Sequence, residues 1–113
     1  MALPRSTLRA IDHPVRRFVL LAVEREGMMS PARFCRRFGA SRKIGLTEAT
    51  FQFQHLARAG LLAEEDPLGD AGAAGAATVV YSVGQAYTPC VRRMIVTLWP
   101  RADERQRGRS QLN

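Results

Sequence analysis

Two cysteines, two histidines and ten acidic side chains are the residues of this 113-residue chain with the chemistry for catalysis or metal binding. Their spacing serves neither. Cys35 and Cys90 lie far apart with no second thiol near either, which is neither a zinc spacing nor a disulfide framework. A soft metal needs two or more converging thiolates, so no metal site is expected. Cys35, between Phe34 and Arg36, fits a small core residue, and Cys90 fits a packing residue or one on a dimer face. His13, directly before Pro14, fits a helix cap, whereas His55 fits a solvent-facing or phosphate-contacting position. Neither histidine has an evident nucleophile or orienting partner, and no glycine loop is followed by Lys-Ser/Thr and a helix. The chain is therefore expected not to be an enzyme and to need no cofactor.

Arginine is what the chain has in excess. Seventeen basic residues against ten acidic give +7, and sixteen of the seventeen are arginine. The guanidinium is a planar fork of donors that matches phosphate, so the balance points to a polyanionic partner. A codon bias would explain arginine in place of lysine, but not the net excess. The excess is also uneven: residues 1 to 60 carry eleven basic and four acidic side chains, residues 61 to 100 two and four, and the last thirteen four and two. The positive field belongs to the first half. A 46% hydrophobic and 24% charged composition suits one globular domain of this length. No apolar run approaches the roughly 18 residues that span a bilayer, and the N-terminus lacks a signal-peptide pattern, so a cytoplasmic protein without a membrane partner is expected.

The elements that must position these charges begin with a short amphipathic piece over residues 5 to 11, with Leu8 and Ile11 on one side. In "DHPVRRFVLLAVEREG", Asp12 and His13 can cap, Pro14 suits the first helical position, and Val15, Phe18, Val19, Ala22 and Val23 recur at helical spacing up to Gly27. Ser30 and Pro31 open a third helix, "SPARFCRRFG", which buries Phe34, Cys35 and Phe38, turns Arg33, Arg36 and Arg37 outward and stops at Gly39. The next stretch, "LTEATFQFQHLARAGLL", contains an alternating Phe51-Gln52-Phe53-Gln54 that resembles a strand. A strand leaves "HLARAG" unexplained. A helix over 47–59 with Thr47 as N-cap places Ala49, Phe53 and Leu56 on one buried stripe and turns Thr47, Glu48, Thr50, Phe51, Gln52, Gln54, His55 and Arg58 toward water. An apolar Phe51 in a row of amide and hydroxyl groups suits base edges and thymine methyl groups, or it packs against a neighbouring element. After Gly60, "LLAEED" and "ATVVYSV" read as a β-hairpin around the turn-forming "PLGDAGAAG". Thr88 and Pro89 open a last helix, 88–99, with the stripe Val91, Met94, Ile95 and Leu98. The domain is thus 1–100, and 101–113 is expected to be a disordered basic tail.

This order of elements resembles the winged helix-turn-helix fold, and more specifically the ArsR-type regulators of bacteria and archaea. The resemblance is carried by "IDHPVRRFVLLAV", "SPARFCRRFG", "TFQFQHLARAGLL" and "ATVVYSV" in that order, over residues 8 to 84. It implies a mainly α fold with a small β-hairpin wing and a transcriptional regulator that binds double-stranded DNA as a homodimer. Its base-contacting residues would be Thr47, Glu48, Thr50, Phe51 and Gln52, with Gln52 bidentate to adenine. Arg36, Arg37, Arg42, Lys43, His55 and Arg58 would hold backbone phosphates. Leu8, Ile11, Val91, Met94, Ile95, Leu98 and Trp99 would form the two-fold interface, spacing two recognition helices about one turn of DNA apart. The chain departs from the family in its longer "ASRKIG" turn, in a wing without arginine or lysine, and in lacking paired metal-binding cysteines. A neutral wing also suits a winged-helix module that binds protein instead of DNA, and the charge alone suits a nonspecific architectural DNA binder.

Overall fold

Several helix ends in this chain are set by local capping chemistry, as the computed structural model, which describes residues 3–65 and 75–97, shows. Helix α1 spans Arg5–Ile11 and α2 spans Pro14–Glu26. Between them His13 is extended, and its Nδ1 accepts the Val15 N–H at 3.2 Å, with Pro14 at the first helical position. Helix α2 closes where the Gly27 N–H reaches the Val23 carbonyl at 2.8 Å. Ser30 then caps α3 (Pro31–Phe34) by accepting the Arg33 N–H at 3.2 Å.

The expected stop at Gly39 does not occur. The helix runs on through a π-helical turn, Cys35–Gly39, into α4 (Ala40–Arg42), and Gly39 itself is in the right-handed helical region. Its missing side chain matters for another reason: a Cβ there would lie 3.0 Å from the Ile44 carbonyl oxygen, so the glycine lets the following turn fold back onto the helix. Lys43, at φ 55, takes the left-handed position that ends the helix. Helix α5 follows as Leu46–Arg58, one residue earlier than expected. Its N-cap is Gly45, without a side-chain cap, so Thr47 is an exposed first-turn residue and not the cap.

Strands β1 (Leu62–Glu65) and β2 (Val80–Val83) pair antiparallel, Leu62 opposite Val83 and Glu65 opposite Val80. Ala77 and Thr78, expected at the start of the second strand, instead lie in a 3-10 turn, Ala76–Thr78. Met29, in the α2–α3 connection, makes an isolated bridge to Tyr81 with reciprocal bonds of 2.9 Å, extending the hairpin's sheet back under the helices. Residues 89–97 form a last helix, α6, capped by the Thr88 hydroxyl accepting the Val91 N–H at 3.3 Å. Most of the hairpin tip, the tail, Leu98 and Trp99 lie outside the described residues.

One aromatic chain joins these layers. Phe18 of α2 meets Phe34 and Phe38 edge-on at 5.6 and 4.8 Å, Phe34 meets Phe53 of α5 at 5.6 Å, and Phe53 meets Tyr81 of β2 at 5.4 Å. Phe34 and Phe53 are fully buried, a contribution on the order of 2–3 kcal/mol each. Helix α6 belongs to the same core. Ile11, Val91 and Ile95, expected at a dimer interface, are 1%, 1% and 0% exposed within a single chain, and Met94 is half-buried against them. The described part of the α6 stripe packs on its own domain, with Tyr87 and Arg92 both bonding Glu24 of α2 at 2.8 Å. Leu8 remains exposed. Among the described residues no helix is long and apolar enough to cross a membrane.

Candidate nucleic-acid interface

Helix α5 has one face held by the core and one open to solvent. Ala49, Phe53 and Leu56 are fully buried, as expected. Leu46, Thr47, Glu48, Phe51, Gln54 and Arg58 are exposed, and Phe51 stands out at 54% with its ring 6.3 Å from the half-buried His55 imidazole. Phe51 therefore does not pack into the domain. Its neighbour departs from expectation: Gln52 is only 6% exposed, and its Oε1 accepts a hydrogen bond from Arg16 Nη1 at 3.2 Å. Thr50 is half-buried, its hydroxyl donating to the Leu46 carbonyl at 2.8 Å. Of the five residues expected to meet bases, Thr47, Glu48 and Phe51 share the outer face with Gln54, while Gln52 faces inward.

Position explains the inversion. Residues 49, 52, 53 and 56 follow the 3, 1, 3 spacing of a single helical stripe, so the backbone carries Gln52 inward whatever its polarity. A buried amide is tolerable only if hydrogen-bonded, and the donor comes from α2. Arg16 also donates to the carbonyls of Ala10 at 2.6 Å and Arg9 at 3.1 Å, and Arg17 donates to that of Ile11 at 3.0 Å. Together the two arginines satisfy the carbonyl end of α1, which stops without room for another turn before Pro14. Arg17 is itself buried, with Asp12 3.9 Å away and its Nε without a hydrogen-bond partner. These are positioning residues that the sequence presented only as adjacent arginines. Their placement just inside a helix that directly follows another was the available signal.

The expected phosphate contacts divide in the same way. Arg37 pairs with Glu26, which Arg33 also approaches at 3.8 Å, and the Arg37 guanidinium lies over the Phe38 ring at 5.1 Å. Arg42 stacks on Phe18 at 4.3 Å. Both are committed within the chain. Arg36 and Lys43 are exposed, with no ion pair among the described residues, and so is Arg58, whose Nε reaches only the Gln54 carbonyl at 3.4 Å. Lys43 sits in the turn between α4 and α5, and Arg58 ends α5, so unpaired cations mark both ends of the exposed face.

The titrating groups fit this picture. Burial, then Arg16, holds His13 below the ordinary histidine value, and burial, then Arg16 and Arg58, does the same to His55. Burial pushes the Cys35 thiol up, and its Sγ lies 3.8 Å from the Ile44 carbonyl oxygen, the contact of a half-buried packing residue. Cys90 is exposed. Among the described residues, no three His, Cys, Asp or Glu side chains gather where they could hold a metal ion. No family model, no curated protein and no solved structure matches this chain.

Proposed function

We propose that this protein is a DNA-binding regulator of winged helix-turn-helix type, with α5 as the helix that enters the major groove. The observation that carries the reading is Phe51. It is a large aromatic left 54% exposed among Thr47, Glu48 and Gln54, on a helix whose opposite face is locked into the core. A rigid helix presenting an apolar ring and short polar groups together has what base-edge and thymine-methyl contact requires. The helix preceding it reaches α5 through a three-residue turn, Lys43 to Gly45, and unpaired cations at both ends of α5 suit phosphates on either side of a groove. The hairpin and the Met29–Tyr81 bridge give the small sheet such a domain carries behind its helices. In this reading Thr47, Glu48, Phe51 and Gln54 meet bases, Arg36, Lys43 and Arg58 meet phosphates, and Gln52 supports the helix from within.

A second reading has its own observation. Leu46 and Phe51 are both exposed on α5, while β1 carries Glu64 and Glu65, a surface that also suits a protein partner. Fluorescence anisotropy separates the two. The purified chain is titrated onto the duplex upstream of its own gene and onto a scrambled duplex at about 150 mM salt, alongside Phe51→Ala. Preference for the native duplex, with a loss of about 1–3 kcal/mol in the variant, is the expected result. Equal weak binding to both duplexes indicates nonspecific association, and absence of binding favours the protein-binding reading.

A further inference from the structure

The unpaired arginines of α1 face the end of α5. Arg5, Ser6 and Arg9 on one side and His55, Arg58 and Ala59 on the other line a single open groove. Arg5 and Arg9 are one helical turn apart, as are His55 and Arg58, so each wall presents its two basic groups from one face. No carboxylate among the described residues lines the groove. The ion pairs among the described residues all lie elsewhere: Arg17 with Asp12, Arg33 and Arg37 with Glu26, and Arg92 with Glu24. Three guanidinium groups around one concavity repel each other, and an anion relieves that repulsion.

The groove is also held in shape. Arg16 sits behind it, bonding the Arg9 and Ala10 carbonyls of α1 and the Gln52 amide of α5 with the three nitrogens of one guanidinium. The two walls are therefore joined at their base. On the opposite flank of α5 the hairpin offers no counterpart, since residues 62–83 contain neither arginine nor lysine. A recognition helix gripped only along its own length would lack the lateral contact that fixes register on the duplex.

We propose that the groove between α1 and the end of α5 seats a backbone phosphate of the duplex that α5 reads, so that α1 replaces the hairpin as the lateral anchor. This rests on the DNA-binding reading above. Arg5, Arg9 and Arg58 supply forked donors to the phosphate oxygens, and His55 supplies one ring N–H.

The test measures binding of the full chain to the native and scrambled duplexes across a salt series. It compares wild type, the Arg5→Ala/Arg9→Ala double variant and Arg58→Ala with charge-matched controls at exposed sites away from the groove, Arg25→Ala/Arg93→Ala for the double variant and Arg25→Ala for the single one. Loss of a phosphate contact is expected to lower the slope of log K against log salt by about 1 and to weaken both duplexes alike, from either wall of the groove and with circular dichroism unchanged. A slope in the groove variants equal to that of their charge-matched controls overturns the proposal while leaving DNA binding intact. Failure of the wild type to bind any duplex overturns both readings together. A third arm follows the His55 ring resonance during titration with inorganic phosphate and no DNA. Saturable binding there, with an unchanged duplex slope in the variants, assigns the groove to a free anion and overturns the duplex source.

Discussion

Gln52 and Phe51 are neighbours with opposite fates, and the difference is where each Cα points. Phe51 is exposed although apolar, and Gln52 is buried although polar, because the helix phase set by Ala49, Phe53 and Leu56 decides before the side chain does. Reading polarity as exposure assigned Gln52 to bases. Its partner Arg16 lies 36 positions earlier, so no local pattern reveals the bond. The expected consequence is that Gln52→Met, which keeps length and removes the acceptor, lowers stability by about 1 kcal/mol in urea unfolding, because Arg16 Nη1 loses its partner. On the proposed DNA-binding reading, affinity should then change by the same factor on every sequence. A loss confined to one adenine position would instead return Gln52 to the base-reading set.

At the scale of elements, caps were the most legible features and interruptions the least. His13, Ser30 and Thr88 each accept a backbone N–H where a cap was expected, because that bond is made within three residues and its signature is local. Gly39 looked like a stop by the same logic, but it lies within a continuous helix where close approach to the Ile44 carbonyl, a tertiary fact, requires a glycine. The stripe on α6 was visible too, but a stripe shows that a helix buries one face without showing against what. The His13 cap carries a pH dependence. Its Nδ1 accepts a hydrogen bond, so the folded state needs the neutral ring, and burial followed by Arg16 holds its pKa below 6.5. The unfolded chain thus takes up the proton first. Stability from this site is complete above about pH 6.5 and is lost as pH falls from there through the lower folded value. His55 is shifted in the same direction, by burial, then Arg16 and Arg58. His13→Asn keeps a cap without titrating and should therefore shrink, but not abolish, the difference in urea midpoint between pH 7.5 and 5.5. His13→Ala should cost about 1 kcal/mol at the higher pH. An unchanged pH difference in His13→Asn would falsify the assignment.

For the whole molecule the question is what α6 is for. An apolar helical stripe invites a two-fold interface, and the resemblance to ArsR-type proteins assigned it one. Instead, Val91 and Ile95 complete the core, and Glu24 fixes α6 to α2 by accepting from Tyr87 and Arg92. The Tyr87 phenol is pushed well above its ordinary value by burial, then by its bond to the Glu24 carboxylate, so it remains a donor throughout the physiological range. Glu24→Ala removes the acceptor of both bonds and is expected to lower stability by about 1–3 kcal/mol. The two sides of α6 then separate a folding role from an assembly role. Ile95→Asp places a carboxylate in the core beside Val91 and should unfold the chain or depress its melting temperature severely at every protein concentration. Val96→Asp, one position along on an exposed face, should leave the melting temperature within a few degrees. If the helix served chiefly to join two copies, the damage from Ile95→Asp would diminish as concentration rises, because mass action restores a weakened dimer, and sedimentation would show the folded variant as a monomer. Severe destabilisation that does not change with concentration is the expected outcome, because a residue already enclosed by its own chain has no face left to offer a second one.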